Sequence, residues 1–480
     1  MVADLKPYPT YKDSGVSWLG KVPEHWEITR LGALLRERGE TNNDGCVNEV
    51  LSVVRDRGVI PYSEKGNIGN KKSEDVTRYK IVRPDDIVVN CMNVIIGSVG
   101  LSRYSGCLSP VYYVLTRRSK DDNPRYLNAY FQTKSFQRSL VRIGNGILAH
   151  RMRIPMELLK CEVFPRPPVE EQTTIVRFLS YIDTRIGRYI RGKQKLIKLL
   201  EEQKQAIIHR AVTRGLDPNV RLKPSGVEWL EDVPEHWEVR QVGHISRVGN
   251  GSTPSRGNPA YWTHGHYPWL NSACVNRESV TEAVQFVTDT ALRECHLPIV
   301  PADSVLVAIT GQGKTRGKAA VLKIEATINQ HLAYITPRTD LVSADFLRLI
   351  FHGAYPRLRA ISDDSGSTKG ALTCADLKHF KVALPPVNEQ ANVLTTVQAE
   401  TRACGDAIAQ AESEIYFLRE YRTRMVADVV TGKLDVREAA ARLPDEAEEP
   451  EPPDETKDLI DAGEDADELD VDTPSEEAEV

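Results

Sequence analysis

The chain has 480 residues, room for about three domains, and its 41% hydrophobic content is enough for true cores. No run of 18 apolar residues occurs, so no membrane span is expected, and the N-terminus "MVADLKPYPTYKDSG" lacks the apolar segment of a secretory leader. The net charge of −5 hides an asymmetry: residues 444–480 hold 18 Asp or Glu against one lysine, a net −17, leaving +12 on the other 443 residues.

Taken in chain order, the first distinctive stretch is "SGVSWLGKVPEHWE", Ser14–Glu27, which returns as "SGVEWLEDVPEHWE", Ser225–Glu238, with three positions changed. Trp, His and Pro are uncommon, and a repeat at this distance describes two domain-sized halves, not a solenoid. Between the repeated stretches lie two inserts of more than 100 residues, about Leu31–Lys160 and Val239–Lys378. Each contains a strand-like run, "DDIVVNCM" (Asp85–Met92) and "DSVLVAIT" (Asp303–Thr310), among Gly, Asn and Ser turns that scarcely resemble each other.

Each insert is followed by a helix-start signal, "RPPVEEQ" (Arg166–Gln172) and "LPPVNEQ" (Leu384–Gln390), where proline precedes acidic and amide residues. Helices of more than 40 residues are expected, ending near "VTRGLD" (Val212–Asp217) and "VTGKLD" (Val430–Asp435). Their apolar residues recur at heptad spacing: Leu179, Ile186, Ile190, Ile197, Leu200, Ile207 and Ala211 in the first, Val397, Cys404, Ile408, Ala411, Ile415, Leu418, Met425 and Val429 in the second. Such stripes are expected to pack together as a two-helix coiled coil, a spacer of roughly 60 Å. Lys193, Lys204 and Arg422 interrupt them. The tail after Pro444 is too acidic and Pro-rich to bury a core and reads as disordered. The basic body points to a polyanion, nucleic acid first, although a soluble basic surface with a solubilising tail has the same composition.

Catalytic signatures are weak. "AITGQGKT" (Ala308–Thr315) ends like a phosphate-binding loop, but it lacks the first glycine and is followed by a strand-like alternation where a helix is needed. "NPAY" (Asn258–Tyr261) departs from the amino-methyltransferase tetrad at Ala260, and no F-x-G-x-G loop for a methyl donor accompanies it. The eleven histidines show no metal spacing, and the eight cysteines contain no C-x-x-C pair. Neither a zinc site nor a disulfide framework is indicated, and a reducing cytoplasm fits. His25 and His236 read as packing or hydrogen-bonding residues at the helix start.

With these residues in place, the sequence resembles the type I restriction–modification specificity subunits up to about residue 440. The resemblance rests on the doubled S-G-V-x-W-L-x-x-V-P-x-H-W-E and P-P-V-x-E-Q motifs, the long helices ending near L-D, and "GNGSTPSRGNPAYW" (Gly249–Trp262) with "YPWLNSACV". "INQHLAYITPR" and "GSTKGALTCADLKHFKVALPPVNEQ" add to it, as do "SGCLSPVYYVL" and "GNGILAHRMRIPMELL" in the first insert. It implies a mixed α/β (α+β) fold in which two globular target-recognition domains are separated by a long antiparallel two-helix coiled coil with a pseudo-twofold internal repeat. The segments would be an arm (1–30), a first recognition domain (31–160), a central helical spacer with the second arm (161–238), a second recognition domain (239–380), a distal helical spacer (381–440) and the acidic tail (441–480). The resemblance further implies a cytoplasmic protein without catalysis, metal or cofactor of its own. It would read double-stranded DNA and dock two modification (methyltransferase) subunits and restriction subunits, which bind S-adenosylmethionine and ATP.

Base readout needs side chains with fixed donors and acceptors, and cations to position the backbone. The first insert offers Asn90, Asn93, Ser98, Asn145, His150, Arg151 and Arg153. The second offers Asn250, Ser252, Thr253, Ser255, Arg256, Gln312, Lys314, Arg316, Gln330, Thr368 and Lys369. In the repeated phrases, Glu171, Gln172, Glu389 and Gln390 are candidates for partner docking, and Trp18, Trp26, Trp229 and Trp237 for docking or core packing. Two other classes stay open on the residues alone: a DNA methyltransferase or nuclease with a cryptic site, and a scaffold that binds only protein.

Overall fold

Both copies of the repeated phrase fold into the same ribbon. Tyr11–Asp13 pairs antiparallel with Lys21–Pro23, and Leu222–Pro224 pairs in the same register with Asp232–Pro234. The computed structural model describes residues 5–55, 57–66, 72–146, 152–311, 314–363 and 370–444. His150, Arg151, Gln312, Thr368, Lys369 and the acidic tail lie outside the described residues.

The strand after each phrase forms the neck of an insert. Glu27–Arg30 pairs with Val163–Arg166, and Glu238–Gln241 with Lys381–Leu384, so the chain enters and leaves each insert on adjacent strands. Inside, the two inserts share one design. In the first, strands Leu35–Glu37, Tyr112–Arg117, Ile87–Asn90 and Val99–Leu101 lie side by side in that order. In the second, Ser246–Asn250, Leu332–Pro337, Ser304–Ala308 and Ala319–Leu322 repeat the order, with Ser279–Val280 added at the edge. The strand-like runs of the sequence are the corresponding strands Ile87–Asn90 and Ser304–Ala308. Both are buried on both faces, which explains continuous apolar runs rather than alternation. The second insert also carries a three-stranded sheet of Gln285–Val287, Tyr267–Leu270 and Thr327–Ile328. Dissimilar turns therefore decorate the same sheet.

The two long helices run Val169–Arg214 and Val387–Val430. They are antiparallel: Asp183 meets Arg422, Lys193 meets Glu414 and Arg210 meets Glu400, the partner's number falling as the residue's rises. The seam residues Leu179, Ile186, Ala211, Val397, Cys404, Ala411, Ile415, Met425 and Val429 are buried. Two of the polar interruptions are answered across the seam. Lys193 Nζ lies 2.6 Å from a Glu414 carboxylate oxygen, and Arg422 donates to both oxygens of Asp183 at 2.8 and 3.1 Å.

The compact units cut across the six sequence segments. One comprises Met1–Lys193 with Ser413–Pro450, the other Gln194–Glu412, so each holds an arm, an insert and half of each long helix. In the first unit, Ile175, Phe178, Leu179, Ile182 and Ile186 meet Met425, Val429 and Val430 and continue into the insert through Tyr126, Tyr130 and Phe164. Asp435 N donates to Lys6 O at 2.8 Å, closing this unit with residues from both ends of the described chain. In the second, Ile208, Ala211 and Val212 meet Val393, Val397 and the insert helix Ala344–Gly353.

His352 lies in the last turn of that insert helix, and its carbonyl accepts from Gln205 Nε2 at 2.9 Å. Burial, with Arg348 and Lys204 nearby, pulls its imidazole down to about 4. The unfolded chain, near 6.5, therefore takes up this proton first. The associated stability is fully present above pH 6.5 and is lost as pH falls toward 4. The stability of the second unit, read by hydrogen exchange of peptides covering residues 344–353, is expected to drop by on the order of 2 kcal/mol across that window, and His352→Gln to flatten the slope. An unchanged slope would refute the assignment.

Candidate nucleic-acid interface

The Glu-Gln pair at the start of each long helix organises everything around it. Glu171 accepts from Tyr8 Oη at 2.6 Å and Trp26 Nε1 at 3.0 Å, and its other oxygen lies 2.8 Å from His25 Nε2. Glu389 repeats this with Trp237 Nε1 at 3.1 Å and His236 Nε2 at 2.9 Å. The amides repeat too. Gln172 accepts from Asn123 N at 2.8 Å and donates to Pro167 O at 3.0 Å; Gln390 accepts from Ser343 N at 3.0 Å and donates to Leu341 O and Pro385 O at 2.9 and 3.2 Å. Asn123 and Ser343 are the N-caps of the corresponding insert helices, Pro124–Phe131 and Ala344–Gly353. Each dipeptide thus ties arm, insert and spacer together.

Among the residues assigned to partner docking, Trp26, Trp237, Gln172 and Gln390 are buried, and their polar atoms are engaged inside the chain. Glu171 is buried and Glu389 partly so. Trp18 packs on Tyr130 and Phe136, and Trp229 stacks on Phe380 at 5.2 Å while donating to Lys381 O. The docking assignment is corrected for the buried ones: a side chain without exposed surface and with its polar atoms paired internally builds this chain's own frame. His25 and His236 make the hydrogen bonds at the helix start that the sequence implied. Two further residues complete the frame, one outside the repeated phrases and one, Gly432, inside "VTGKLD", where Gly215 of "VTRGLD" faces Trp237 in the same way. Tyr8 aligns with Asn219 in the second copy, so repetition gave it no signal. Gly432 has φ +76, and a Cβ there would lie 2.3 Å from Pro23 Cδ and 3.1 Å from the Trp26 ring.

In the second insert the recognition candidates converge at one end of the sheet. Asn250 ends its strand opposite Ala333, and Ala308 ends the neighbouring one opposite Leu332. Gly251 then lets the chain approach Ile328 closely: a Cβ would sit 1.8 Å from that carbonyl oxygen, which instead accepts from Ser252 N at 3.0 Å. Thr253 Oγ1 donates to Gln330 Oε1, and Gln330 Nε2 lies 3.4 Å from His331 Nε2. Thr310 Oγ1 is 2.6 Å from His331 Nδ1. The result is a polar chain from the Gly249–Trp262 loop to the loop after Ala308.

Arg256 is an exposed cation of this end. Its guanidinium lies 4.0 Å from the Trp262 ring centre and 5.0 Å from that of Trp269, and donates to Gln285 Oε1 at 2.9 Å. Both indoles brace the loop, Trp262 Nε1 donating to Ser255 O at 3.0 Å and Trp269 Nε1 to Ser252 O at 3.3 Å. Contact with two rings set at 84° to each other confines the guanidinium while leaving donors available. Lys314 is exposed, its carbonyl accepting from Tyr355 Oη at 2.8 Å. Arg316 is different. It is buried, paired with Asp363 and bonded to Gly370 O at 2.5 Å, so it anchors the loop and does not face a ligand. The strand Ala319–Leu322 follows, where a phosphate loop would need a helix, and Asn258 serves as the N-cap of Pro259–Trp262.

The first insert places its candidates at the corresponding sheet end. Asn90 pairs opposite Tyr112, its side chain accepts from Met92 N at 3.0 Å, and its backbone N donates to Ser98 O. Ser98 is buried and Asn93 partly exposed. Asn145 and Arg153 exchange backbone hydrogen bonds at 2.9 and 3.0 Å, and Ile154 N donates to Cys91 O, which brings that loop beside the Asn90–Ser98 loop. The first insert has no arginine stacked there among its described residues; its Arg38, just after strand Leu35–Glu37, is held bidentate at 2.9 Å on both arms by Asp86, which precedes Ile87–Asn90 at the end of that strand away from Asn90. Equivalent sheet ends thus carry different chemistry. Among the described residues, no group of His, Cys, Asp and Glu is placed to hold a metal, and no helix is long and apolar enough to cross a membrane. The cysteines are unpaired.

A family model for the type I restriction modification DNA specificity domain matches residues 234–414. The chain is similar to the putative type I restriction enzyme MjaX specificity subunit of Methanocaldococcus jannaschii, 23% identical over 435 residues, 87% of this chain and 96% of that protein. It is also similar to the MjaIX specificity subunit of the same organism, 29% identical over 451 residues, 88% and 96% of the two chains. A solved chain from work on complex assembly and conformational transition of the type I R-M system has a TM-score of 0.60 at 17% identity, covering 86% of this chain and 99% of that one, which shows a common fold. Matches over nearly the full length of both chains, joined to the doubled frame and paired helices, lead to one conclusion: this chain is similar along most of its length to the specificity subunits of type I restriction–modification systems.

Proposed function

We propose that each insert reads one half of an interrupted DNA sequence and that the paired helices set the gap between the halves. The outer surface of the helices docks two modification subunits, which carry S-adenosylmethionine and methylate adenine in each half. Restriction subunits add ATP-dependent cleavage. This chain works in the cytoplasm, makes and breaks no bonds itself and holds no cofactor. The observation that carries this reading is the pairing of one sheet design with two different sets of polar side chains at equivalent ends. Two readers of one architecture and separate specificity are what an asymmetric bipartite site requires.

Arg256 tests it. A guanidinium confined between two indoles is suited to the two acceptors of guanine, and a good bidentate pair discriminates by about 1–3 kcal/mol. Genome-wide methylation mapping in a host carrying this chain and its modification subunit is expected to return a bipartite motif. Without the chain, or without the modification subunit, methylation at that motif should vanish. Arg256→Ala should relax one position in one half and leave the other half intact. Methylation by this chain alone would favour the enzyme reading, and an unchanged motif in the variant would remove Arg256 from base readout.

A further inference from the structure

The polar chain at the reading end of the second insert has a direction. Thr253 Oγ1 donates to Gln330 Oε1, which turns the amide nitrogen of Gln330 toward His331 Nε2, 3.4 Å away. An amide N–H only donates, so the ring nitrogen that it faces carries a lone pair. The ring proton therefore stands on Nδ1 and is donated to Thr310 Oγ1 at 2.6 Å. A hydroxyl has one proton and two lone pairs. With His331 on one lone pair, Thr310 is left with the donor's role toward anything further.

Backbone bonds hold this relay in place. His331 N donates to Oδ1 of the buried Asn329 at 3.1 Å, Asn329 N to Leu270 O at 2.9 Å, and Ile309 N to His331 O at 3.0 Å. The sheet itself does not require the relay. Asn90 pairs opposite Tyr112 in the first insert as Ala308 pairs opposite Leu332 in the second, so Met92 and Val111 stand at the register of Thr310 and His331. Val111 is 50% exposed. Apolar residues thus suffice at that end of one sheet where the other keeps polar side chains in line. That difference points to a ligand and not to folding. A lone threonine hydroxyl serves a base donor or a base acceptor alike, whereas an oriented one serves only the acceptor. Building on the reading of each insert as a DNA reader, we propose that His331, acting through Thr310, gives the second insert a fixed donor for an acceptor on the major-groove edge of a base. The candidates are O6 or N7 of guanine, N7 of adenine and O4 of thymine. Thr310 makes the contact, and His331 is a positioning residue.

The ring proton can be located without DNA. Long-range proton–nitrogen spectra of the full chain, labelled with nitrogen-15 histidine and held at about pH 8 where an ordinary histidine is neutral, are expected to show His331 protonated on Nδ1. The signal missing from His331→Asn identifies it, and a proton on Nε2 overturns the relay. Methylation mapping in a host carrying the chain and its modification subunit tests the contact. Thr310→Val should relax one base position, in the half read by the second insert, by roughly fivefold. His331→Leu should relax the same position to the same extent, and the double variant no further. Thr310→Ser, and His331→Asn with its N–H where Nδ1 stood, should retain the discrimination. Should His331→Leu lose its fold, visible as a lowered thermal midpoint, the two Thr310 variants decide. A motif unchanged by Thr310→Val, or relaxed at different positions by the two residues, overturns the proposal and leaves the bipartite reading standing. A parent chain that directs no bipartite motif overturns that reading and the proposal together.

Discussion

Glu171→Ala is expected to unfold the first compact unit under conditions where the second stays folded. The carboxylate accepts from Tyr8 and Trp26 and lies against His25, and its side chain is only 6% exposed. Removing it strands the Tyr8 hydroxyl and the Trp26 indole in the interior, and each buried orphan costs about 1–3 kcal/mol. Burial beside Glu171 also raises the Tyr8 phenol above its ordinary value, so Tyr8 cannot ionise to compensate. A loss on the order of 4 kcal/mol is a large part of a domain's usual 5–15. Glu389→Ala is the internal control, since that carboxylate is 30% exposed and receives no counterpart of the Tyr8 bond; about 1–2 kcal/mol is expected there. Unfolding of two units is not two-state, so hydrogen exchange is the measurement. Peptides covering residues 14–27 should lose protection in Glu171→Ala while those covering 225–238 keep it, and Glu171→Gln should recover part of the loss. Equal protection of both peptides in the alanine variant would show that the carboxylate does not hold the frame.

The repeated frame was legible because its residues are rare and its chemistry is local. Trp26 and His25, like Trp237 and His236, need one carboxylate at a fixed place, and the P-P-V-x-E-Q motif supplies it. The seam was legible because heptad spacing survives Lys193 and Arg422; their partners Glu414 and Asp183 were not, since a cross-helix register cannot be read from either stripe alone. The kinship of the inserts was hidden for a different reason. Strands buried on both faces read as short apolar runs, and the turns that would mark their order differ between Asn90–Ser98 and Thr310–Lys318. Residue type also misled. Arg316 in a basic loop reads as a ligand contact, since arginines are mostly exposed, whereas here it is buried against Asp363 and Gly370 O. Arg256 was found by composition, but its distinction from Lys314 lies in Trp262 and Trp269, which only the folded loop brings to it.

Exchanging residues 31–162 for the corresponding insert of a relative should replace one half of the methylated motif completely and leave the other half as it was. The necks make this a clean cut. Arg30 pairs with Val163 and Gln241 with Lys381, so each insert begins and ends on two hydrogen-bonded strands that belong to the frame. Cutting there preserves the Glu171 and Gln172 contacts except those that Gln172 makes to Asn123 and Asp122 on the insert side. The incoming insert must therefore offer a backbone N–H at the N-cap of its first long helix, as Asn123 and Ser343 both do. An exchange that meets this requirement should keep the gap as well, because the seam of the long helices is untouched. Loss of all methylation would point to a broken neck, and thermal melting of the purified chimera would reveal it. A stable chimera whose motif matched the parent in both halves would mean that base readout resides outside the inserts. The frame would then be the reader, and the likeness of the two sheet ends would have no bearing on specificity.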